Sequence, residues 1–477
     1  MNRRAAFHTL GCKTNHYETD AMRAQFSRAG FDLVDFSDQA DVYLVNTCTV
    51  THEADRKSRQ MLRRARQLNP AALIVAVGCQ VVLGDAADWA DLTIGTEGKN
   101  RAIDRVLAAL AGRPEAVVRY DDAGQSEISH DGVSQNEISH DGAGHVDDLG
   151  SKYETAAGQT YDEFGAVDLQ SETRAYVKIE DGCNQFCSYC AIPLARGRVR
   201  SRGHDQIITE TRALAAAGFR EIVLTGIHLC SYGLDLGLPG HAVMDLALEL
   251  AEIDGIERIR LGSLEPLSVT PTFISLAARN PKLCPHFHLS LQSGSDAVLA
   301  RMNRRYRTAD FRAVVDGLRS SFSDPGLTTD MIVGFPGETV GEFAESLAFA
   351  EEMAFSRIHV FRYSARKGTR AAQMPDPVDP GAIAHRSRQM LDRAATLSLA
   401  YNNRQISRLH DVLLEQRMDD HMTGYTAEYV PVRIPLSPFA KGDPDCQNLR
   451  PGQIIAVRGV QAEADFLLGH CAKRDIS

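Results

Sequence analysis

Three cysteines in one short stretch constrain this chain more than any other feature of its sequence. They are Cys183, Cys187 and Cys190, at the spacing C-x3-C-x2-C. Three thiolates cannot all pair with one another in disulfides, but they can bind three irons of a cubane iron–sulfur cluster. The fourth iron then has no protein ligand nearby, which leaves an open coordination position like that of a catalytic metal.

A zinc site or a run of buried free cysteines is the alternative interpretation of this stretch. Zinc prefers four ligands, and the next candidate ligands, His204 and His228, do not lie at the spacing of a zinc knuckle. The motif therefore favours an iron–sulfur cluster.

The length of 477 residues predicts two to four domains and a large core. No apolar run approaches the roughly 18 residues that a membrane span needs, and no long apolar segment follows the first residues, so we expect neither a membrane anchor nor a secretory signal. Ten cysteines in such a chain predict a reducing, cytoplasmic environment and metal binding rather than disulfides.

Strands and helices alternate at the start of the chain, which predicts a parallel α/β sheet. Three predicted strands are each followed by a cysteine, namely Cys12, Cys48 and Cys79. The carboxyl ends of parallel strands meet at one edge of the sheet, where ligands bind. The three thiolates are therefore predicted to converge on a second cluster.

Residues 121–172 have a different character. They hold thirteen acidic residues and one lysine, a charge of −12, and the six-residue sequence of 127–132 recurs unchanged at 137–142. This acidic composition, rich in Gly and Ser, predicts a flexible insertion between domains. The whole chain carries −10, so the remainder is +2, and a basic surface for RNA is compatible with the acidic total.

From about residue 173 the alternation resumes with six βα units, which predicts a partial TIM-like barrel with its chemistry in the loops after the strands. Glycines there permit close approach of a nucleoside, and carboxylates accept hydrogen bonds from ribose hydroxyls or an ammonium. The candidate residues are Thr225, Gly226, Glu265, Gln292, Ser293 and Asp330. Glu265 could instead pair with Arg260. Beyond the barrel, short strands, one over about 423–432, predict a small β-barrel of a kind that binds single-stranded nucleic acid.

The cysteine motif, with Phe186 before its middle cysteine and Tyr189 before its last, resembles that of the radical S-adenosylmethionine superfamily. In that superfamily S-adenosylmethionine binds the open iron, and one electron from the cluster breaks its sulfonium bond to give a 5′-deoxyadenosyl radical. The resemblance implies that Phe186 and Tyr189, together with the loop residues named above, bind S-adenosylmethionine.

Over nearly the whole chain except residues 121–172, the order of the motifs resembles the methylthiotransferases. The resemblance implies two 4Fe–4S clusters, an auxiliary one on Cys12, Cys48 and Cys79 and the radical one, with no catalytic residue beyond the ligands. The implied segments are an N-terminal domain over 1–118, a linker over 119–172, a radical domain over 173–400 and a TRAM-like barrel over 401–477.

The residues after the first cysteine, Lys13-Thr14-Asn15, look like those of the type that modifies N6-threonylcarbamoyladenosine at tRNA position 37. The isopentenyladenosine type usually has Gln-Met-Asn there, and the type that modifies a ribosomal-protein aspartate has Pro-Lys-Asn. The implied reaction places a methylthio group at C2 of the adenine and uses S-adenosylmethionine as methyl donor and as radical source.

We expect tRNA to bind arginines beside the radical site, because a guanidinium contacts phosphates and stacks on unpaired bases. The candidates are Arg196, Arg198, Arg200, Arg202, Arg304 and Arg305. Arg202 could instead pair with Asp205. The resemblance also implies an electron donor such as flavodoxin or ferredoxin and an unidentified sulfur donor; we expect a monomer. A non-enzymatic alternative is an RNA-binding iron–sulfur sensor, which would form no 5′-deoxyadenosine.

Overall fold

The computed structural model describes residues 2–112, 160–165, 167, 171–436 and 449–472. These ranges form a parallel α/β sheet, a central partial barrel and a closed C-terminal β-barrel, which confirms the predicted fold class. Most of the acidic segment predicted to be flexible lies outside the described residues. No described helix is both long and apolar enough to cross a membrane.

The N-terminal domain is built on a parallel sheet with the strand order β2-β1-β3-β4-β5. The strands are β1 (Arg4–Thr9), β2 (Asp32–Val34), β3 (Val42–Thr47), β4 (Leu73–Gly78) and β5 (Leu92–Ile94). The helices are α1 (Lys13–Arg28), α2 (His52–Leu68), α3 (Cys79–Leu83) and α4 (Ala102–Leu110). Every residue of β3 is buried, because apolar side chains of α1 and α4 cover one face and those of α2 the other.

The described residues 160–165 pack against this domain. The ring of Phe164 is buried edge-to-face with Tyr17 at 6.1 Å, and the Gly98 N–H donates to the Asp162 carboxylate at 2.7 Å. The prediction of a flexible linker over 119–172 is therefore wrong for these six residues, whose aromatic side chains supply apolar surface that the preceding acidic repeat lacks.

Seven parallel strands and an antiparallel pair make up the central domain. Its strands are β6 (Ala175–Lys178), the pair β7 (Glu180–Asp181) and β8 (Arg200–Ser201), then β9 (Glu221–Thr225), β10 (Arg258–Leu261), β11 (Ser263–Leu264), β12 (His286–Leu289), β13 (Gly326–Val333) and β14 (Arg357–Arg362). The sheets β10-β9-β6 and β11-β12-β13-β14 meet through a bridge between Ile259 and Leu283 and form the predicted partial barrel. The helices are α5 (Ile192–Arg196), α6 (His204–Ala216), α7 (Ala242–Ala251), α8 (Pro271–Arg279), α9 (Asp296–Arg301), α10 (Thr308–Ser321) and α11 (Val340–Met353).

Side chains alternate between the two faces of these strands. Phe287 of β12 and Met331 of β13 point outward into an apolar core shared with Phe311 of α10 and Phe349 of α11. The intervening residues of β12 and β13 consequently face the inside of the barrel. That inner face is polar, so the barrel interior is suited to a polar ligand.

Helix α12 (Pro380–Asn403) is capped by Asp379, which accepts from the Ala382 N–H, and leads into the C-terminal barrel. The barrel closes in the order β15-β16-β17-β19-β18, with β15 (Leu409–Arg417), β16 (His421–Thr426), β17 (Pro431–Pro435), β18 (Ile454–Ala462) and β19 (Leu467–Cys471). The single strand predicted over about 423–432 is wrong, because the chain turns between β16 and β17, where Tyr429 has a left-handed φ of 71°.

Candidate functional site

The N-terminal cysteines follow the carboxyl ends of three adjacent parallel strands. Thr9 of β1 pairs with Asn46 of β3, and Thr47 of β3 pairs with Gly78 of β4. Because the strand ends are in register, Cys12, Cys48 and Cys79 meet at one edge of the sheet, as their positions predict.

Gly11 is required for this convergence. Its φ is +100°, and a Cβ atom at this position would lie 2.8 Å from the Sγ of Cys48. Burial is the largest cause that raises the pKa of the Cys48 thiol to about 12, and the neighbouring thiols Cys79 and Cys12 contribute to this rise. Three crowded thiols of this kind release their protons when a metal supplies positive charge, so the set fits an iron–sulfur cluster.

Asn15 ties the two ends of this cysteine group together. Its Nδ2 donates to the carbonyl of Leu10, just before Cys12, and to that of Thr47, just before Cys48. On the other side, Arg366 of the central domain donates to Thr49 and Asp55, each at 2.6 Å. The sequence analysis named Asn15 only as part of the motif after Cys12, and it missed Arg366 because the contacts of Arg366 join positions 317 and 311 residues apart.

The second cysteine group lies in the loop between β7 and α5. Gly182, just before Cys183, has a φ of +83°, and a Cβ there would meet the Arg198 carbonyl at 1.9 Å. Burial raises the pKa of the Cys183 and Cys190 thiols to about 12 each. The Cys187 Sγ accepts a hydrogen bond of 3.2 Å from Arg304. A sulfur that accepts such a bond is suited to a thiolate ligand, so this loop also fits a cluster.

A cavity of about 280 Å³ opens beside this loop. The cavity is lined by residues that include Phe186, Cys187, Cys190 and Asn303. The guanidinium of Arg198, which also lines the cavity, lies 4.6 Å from the centroid of the Phe186 ring. Phe186 has a left-handed φ of 48°, and its carbonyl accepts from the Asn303 side chain. The cavity is thus built against two of the three cysteines.

The predicted S-adenosylmethionine residues fall into two groups in the structure. Glu265 lies at the cysteine loop, where it pairs at 2.7 Å with Arg304 and not with Arg260. Gly226 follows Thr225, which ends β9. It packs so closely on Glu180 that a Cβ atom on residue 226 would lie 2.5 Å from the Glu180 carboxylate. Tyr189 packs edge-to-face on Phe335 at 6.5 Å.

The other predicted residues point elsewhere. The Ser293 hydroxyl is buried against that of Ser346 at 3.1 Å. Gln292 has a left-handed φ of 68°, and its N–H donates to the carbonyl of Asp330. The Asp330 carboxylate lies on the inner face of the barrel, 3.3 Å from the His288 Nε2 atom.

Glu180, the first residue of β7, is a site residue that the sequence analysis missed, although a glutamate in a buried strand is an unusual placement. Burial raises the pKa of its carboxyl to about 8. One carboxyl oxygen accepts from the His228 N–H at 2.8 Å. The other is buried and has no hydrogen-bond partner among the described residues, so Glu180 has an unused polar atom beside the radical loop.

Four of the six arginines assigned to RNA are committed to contacts inside the protein. The side chains of Arg196 and Arg202 are each only 1% exposed. Arg196 pairs with Glu18 and Asp181. Arg202 pairs with Glu163 and Glu210 and not with Asp205. Their burial contradicts the prediction that they contact RNA, because a desolvated ion pair cannot also meet a phosphate.

Arg200 and Arg304 require the same correction. Arg200 is buried and donates to the carbonyl of Arg196, while Arg304 is held at Cys187 and Glu265. Arg198 lines the cavity, and Arg305 is exposed. Only these last two candidates lie where an RNA could reach them.

Two family models match the chain. The model described as uncharacterized protein family UPF0004 matches residues 4–87, and that of the Radical SAM superfamily matches residues 177–350. The first contains Cys12, Cys48 and Cys79, and the second contains Cys183, Cys187 and Cys190.

Named relatives match most of the chain. The threonylcarbamoyladenosine tRNA methylthiotransferases MtaB of Bacillus subtilis (strain 168) and of Thermotoga maritima are each 35% identical to it; they cover 90% and 88% of this chain, which in turn covers 89% of each relative. A tRNA-2-methylthio-N(6)-dimethylallyladenosine synthase of Parafrankia sp. is 32% identical, with 86% of this chain and 77% of that protein covered.

Among solved structures, the radical S-adenosylmethionine methyltransferase TsrM from Kitasatospora setae, with cobalamin and a [4Fe-4S] cluster bound, superposes with a TM-score of 0.52. The match covers 78% of this chain and 77% of that chain at 15% identity. At this identity the likeness concerns the fold alone.

Proposed function

The chain belongs to the family of the threonylcarbamoyladenosine tRNA methylthiotransferases, which are radical S-adenosylmethionine enzymes, and from this premise we propose that it attaches a methylthio group to C2 of N6-threonylcarbamoyladenosine at position 37 of tRNA. The observation that carries the proposal is the link that Arg196 makes between the segments that carry the two groups of three cysteines. Arg196, which ends the helix after Cys190, donates to Asn15 at 2.7 Å and to Glu18 at 2.8 Å, and Asn15 spans the ends of the strands before Cys12 and Cys48.

The radical cluster belongs on Cys183, Cys187 and Cys190, and a second 4Fe–4S cluster on Cys12, Cys48 and Cys79. Each group supplies three thiols for the four irons of a cluster, so one iron of each cluster receives no thiolate from its group. When bound, S-adenosylmethionine supplies the methyl group and a carbon radical strong enough to remove the unactivated C2 hydrogen.

The chain's own residues prepare this site. Arg304 neutralises Glu265 and donates to the Cys187 sulfur, which fixes the position of that ligand. The spare oxygen of Glu180 is suited to accept a hydrogen bond from the ammonium or ribose hydroxyls of S-adenosylmethionine. Gly226 lets the backbone approach closely at the same place.

Partners follow from the chemistry of the site. tRNA is the substrate, and a one-electron donor such as flavodoxin or ferredoxin reduces the radical cluster. We expect a cytoplasmic monomer. The two remaining candidates, the half-buried Arg198 beside the cavity and the exposed Arg305, contact the RNA. The isopentenyladenosine alternative has weaker support, since its named relative is 32% identical against 35% for the threonylcarbamoyl type.

Nucleoside mass analysis tests the proposal. tRNA from a deletion strain should lose the 2-methylthio form of threonylcarbamoyladenosine and retain the unmodified threonylcarbamoyl form. Complementation with the wild-type gene should restore it, and complementation with the Cys187→Ala gene should not. Loss of 2-methylthio-isopentenyladenosine in the deletion strain, with the threonylcarbamoyl derivative intact, would contradict the assignment.

A further inference from the structure

Three ionisable side chains from adjacent strands meet on the inner face of the barrel. They are His288 of β12, Asp330 of β13 and His359 of β14. The His288 Nε2 lies 3.3 Å from the Asp330 carboxylate, and the His288 and His359 ring centroids are 5.9 Å apart. Asp330 and His359 are direct partners in the strand register, so the sheet itself places the three groups together.

A chain of hydrogen bonds orients His288. The Thr328 hydroxyl lies 3.1 Å from the His286 Nε2 and 3.0 Å from the His288 Nδ1. Burial holds the pKa of His286 well below its usual range, so its ring is neutral, and its Nδ1 has no partner among the described residues. The His286 proton therefore belongs on Nε2, where it is donated to Thr328. Thr328 in turn donates to Nδ1 of His288, which leaves the His288 Nε2–H directed at Asp330.

A second group of charged side chains lies nearer the amino ends of the strands, and the C-terminal barrel covers it. Arg260 pairs with Glu221 at 2.7 Å and donates to the carbonyls of Thr426 and Ala427, so the C-terminal barrel seals this end. The His288–Asp330–His359 cluster is different. The Asp330 side chain is 29% exposed, and His359 is exposed and makes no hydrogen bond to any residue within the described ranges.

The cluster lies near the radical cysteine loop on the inner face of the barrel. Ile332, which follows Asp330 on the same face of β13, packs against the apolar cluster of Phe335, and so does Tyr189 of the cysteine loop. The three groups are therefore placed close to the loop that carries Cys183, Cys187 and Cys190.

We propose that His359 and the His288–Asp330 pair recognise the threonylcarbamoyl substituent of the substrate adenine. This inference rests on the function proposed above. The substituent carries a carboxylate, a hydroxyl and urea N–H groups: His359 is a donor for the carboxylate, and Asp330 is an acceptor for the hydroxyl or an N–H. An isopentenyl substituent would offer none of these hydrogen bonds, and a site built for hydrogen bonds rejects a ligand that lacks them.

The test compares two anticodon stem-loop RNAs that differ only at the target base, one with threonylcarbamoyladenosine and one with isopentenyladenosine. For the wild-type enzyme we expect methylthiolation of the first. His359→Phe should raise the KM for this RNA on the order of 10- to 100-fold, the effect of a lost hydrogen bond to a charged group, with a smaller change in kcat. His359→Gln retains an N–H donor and should recover part of the KM. His241→Phe, at the exposed histidine that directly precedes helix α7, is the matched control and should behave as wild type.

Asp330→Asn provides a second, independent variant. Its KM for the threonylcarbamoyl RNA should also rise, while its iron content, measured chemically, should equal that of wild type. A wild-type enzyme that modifies only the isopentenyl RNA would overturn the proposed function itself. A wild-type enzyme that modifies the threonylcarbamoyl RNA, with an unchanged KM in both His359→Phe and Asp330→Asn, would overturn the recognition site alone. Loss of turnover in His359→Phe that added Zn²⁺ restores would also overturn it, in favour of a metal site.

Discussion

The guanidinium of Arg304 donates a hydrogen bond of 3.2 Å to the Sγ of Cys187. Arg304 is nearly buried and also pairs with Glu265 at 2.7 Å. It lies 117 residues beyond Cys187 in the chain, where its basic neighbours make it look like an RNA contact. Hydrogen bonds and positive charge at a ligand sulfur stabilise the reduced state of an iron–sulfur cluster, so the arginine acts on the cluster.

Replacement of Arg304 should therefore impair reduction of the radical cluster. Arg304→Met should make its midpoint potential more negative, as measured by redox titration followed by electron paramagnetic resonance. Formation of 5′-deoxyadenosine should fall about tenfold or more, because a hydrogen bond to a charged group is lost. Arg305→Met, at the exposed neighbour, is the matched control. Equal potentials for the two variants would contradict this role.

Removal of one thiol from the radical loop should abolish S-adenosylmethionine cleavage. Cys187→Ala leaves two thiolates, which cannot hold the cluster and its open iron in place. After reconstitution with iron and sulfide, no 5′-deoxyadenosine should be detected by chromatography. Cys284→Ala removes a buried thiol outside both cysteine groups and should retain activity. A reconstituted Cys187→Ala enzyme that still cleaves S-adenosylmethionine would refute the ligand assignment.

Removal of a thiol from the sheet edge should separate the two uses of S-adenosylmethionine. Cys48→Ala should still form 5′-deoxyadenosine but yield no 2-methylthio nucleoside, because only the second cluster is lost. Its iron content should fall to about half that of wild type, as expected for one 4Fe–4S cluster in place of two. Iron equal to wild type would mean that Cys48 is not a ligand.

The buried charges at the domain interface should make stability depend on pH. Burial alone would raise the pKa of Glu18, but Arg196, Lys178 and Lys99 outweigh it and hold the pKa well below its usual range. Glu18→Gln should destabilise the protein by about 3–5 kcal/mol, since buried cations lose their partner. A carboxylate with a depressed pKa stabilises the fold above its unfolded pKa of about 4.3, and that stability is lost as the pH falls further.

Thermal melting measured from pH 7 to pH 3 checks this prediction. The difference in Tm between wild type and Glu18→Gln should be greatest at neutral pH and should narrow below about pH 4.3. Glu53→Gln, at an exposed glutamate of α2, is the control and should melt within a few degrees of wild type. A difference in Tm that does not change with pH would show that Glu18 contributes by packing rather than by charge.

Binding of tRNA should depend on the exposed arginine and not on its buried neighbours. Arg305→Ala should weaken the affinity and reduce the slope of log K against log salt by about one, the value for one lost phosphate contact. Fluorescence anisotropy at several salt concentrations measures both quantities. Arg202→Lys should leave the slope unchanged, because Arg202 is enclosed by Glu163 and Glu210. An unchanged slope for Arg305→Ala together with a reduced slope for Arg202→Lys would show that the RNA contacts the buried arginines.

The sequence by itself determined the architecture and the cysteine groups. Strand and helix periods are local properties, and parallel strands can be joined only by crossovers that bring their carboxyl ends to one edge. Cys12, Cys48 and Cys79 each follow such a strand, so their convergence could be predicted without coordinates. The C-x3-C-x2-C loop is local in the same sense.

Only the tertiary structure decided which charges remain available. Arg196 lies 178 residues from Glu18, and Arg202 and Arg304 likewise find carboxylates that no spacing rule connects to them. An arginine is the same in sequence whether it meets a phosphate or a buried glutamate. The choice depends on desolvation and on distances of a few ångströms between distant segments, which packing alone sets. For the same reason, the meeting of His288, Asp330 and His359 on one inner face became visible only when strand register and side-chain alternation were known together.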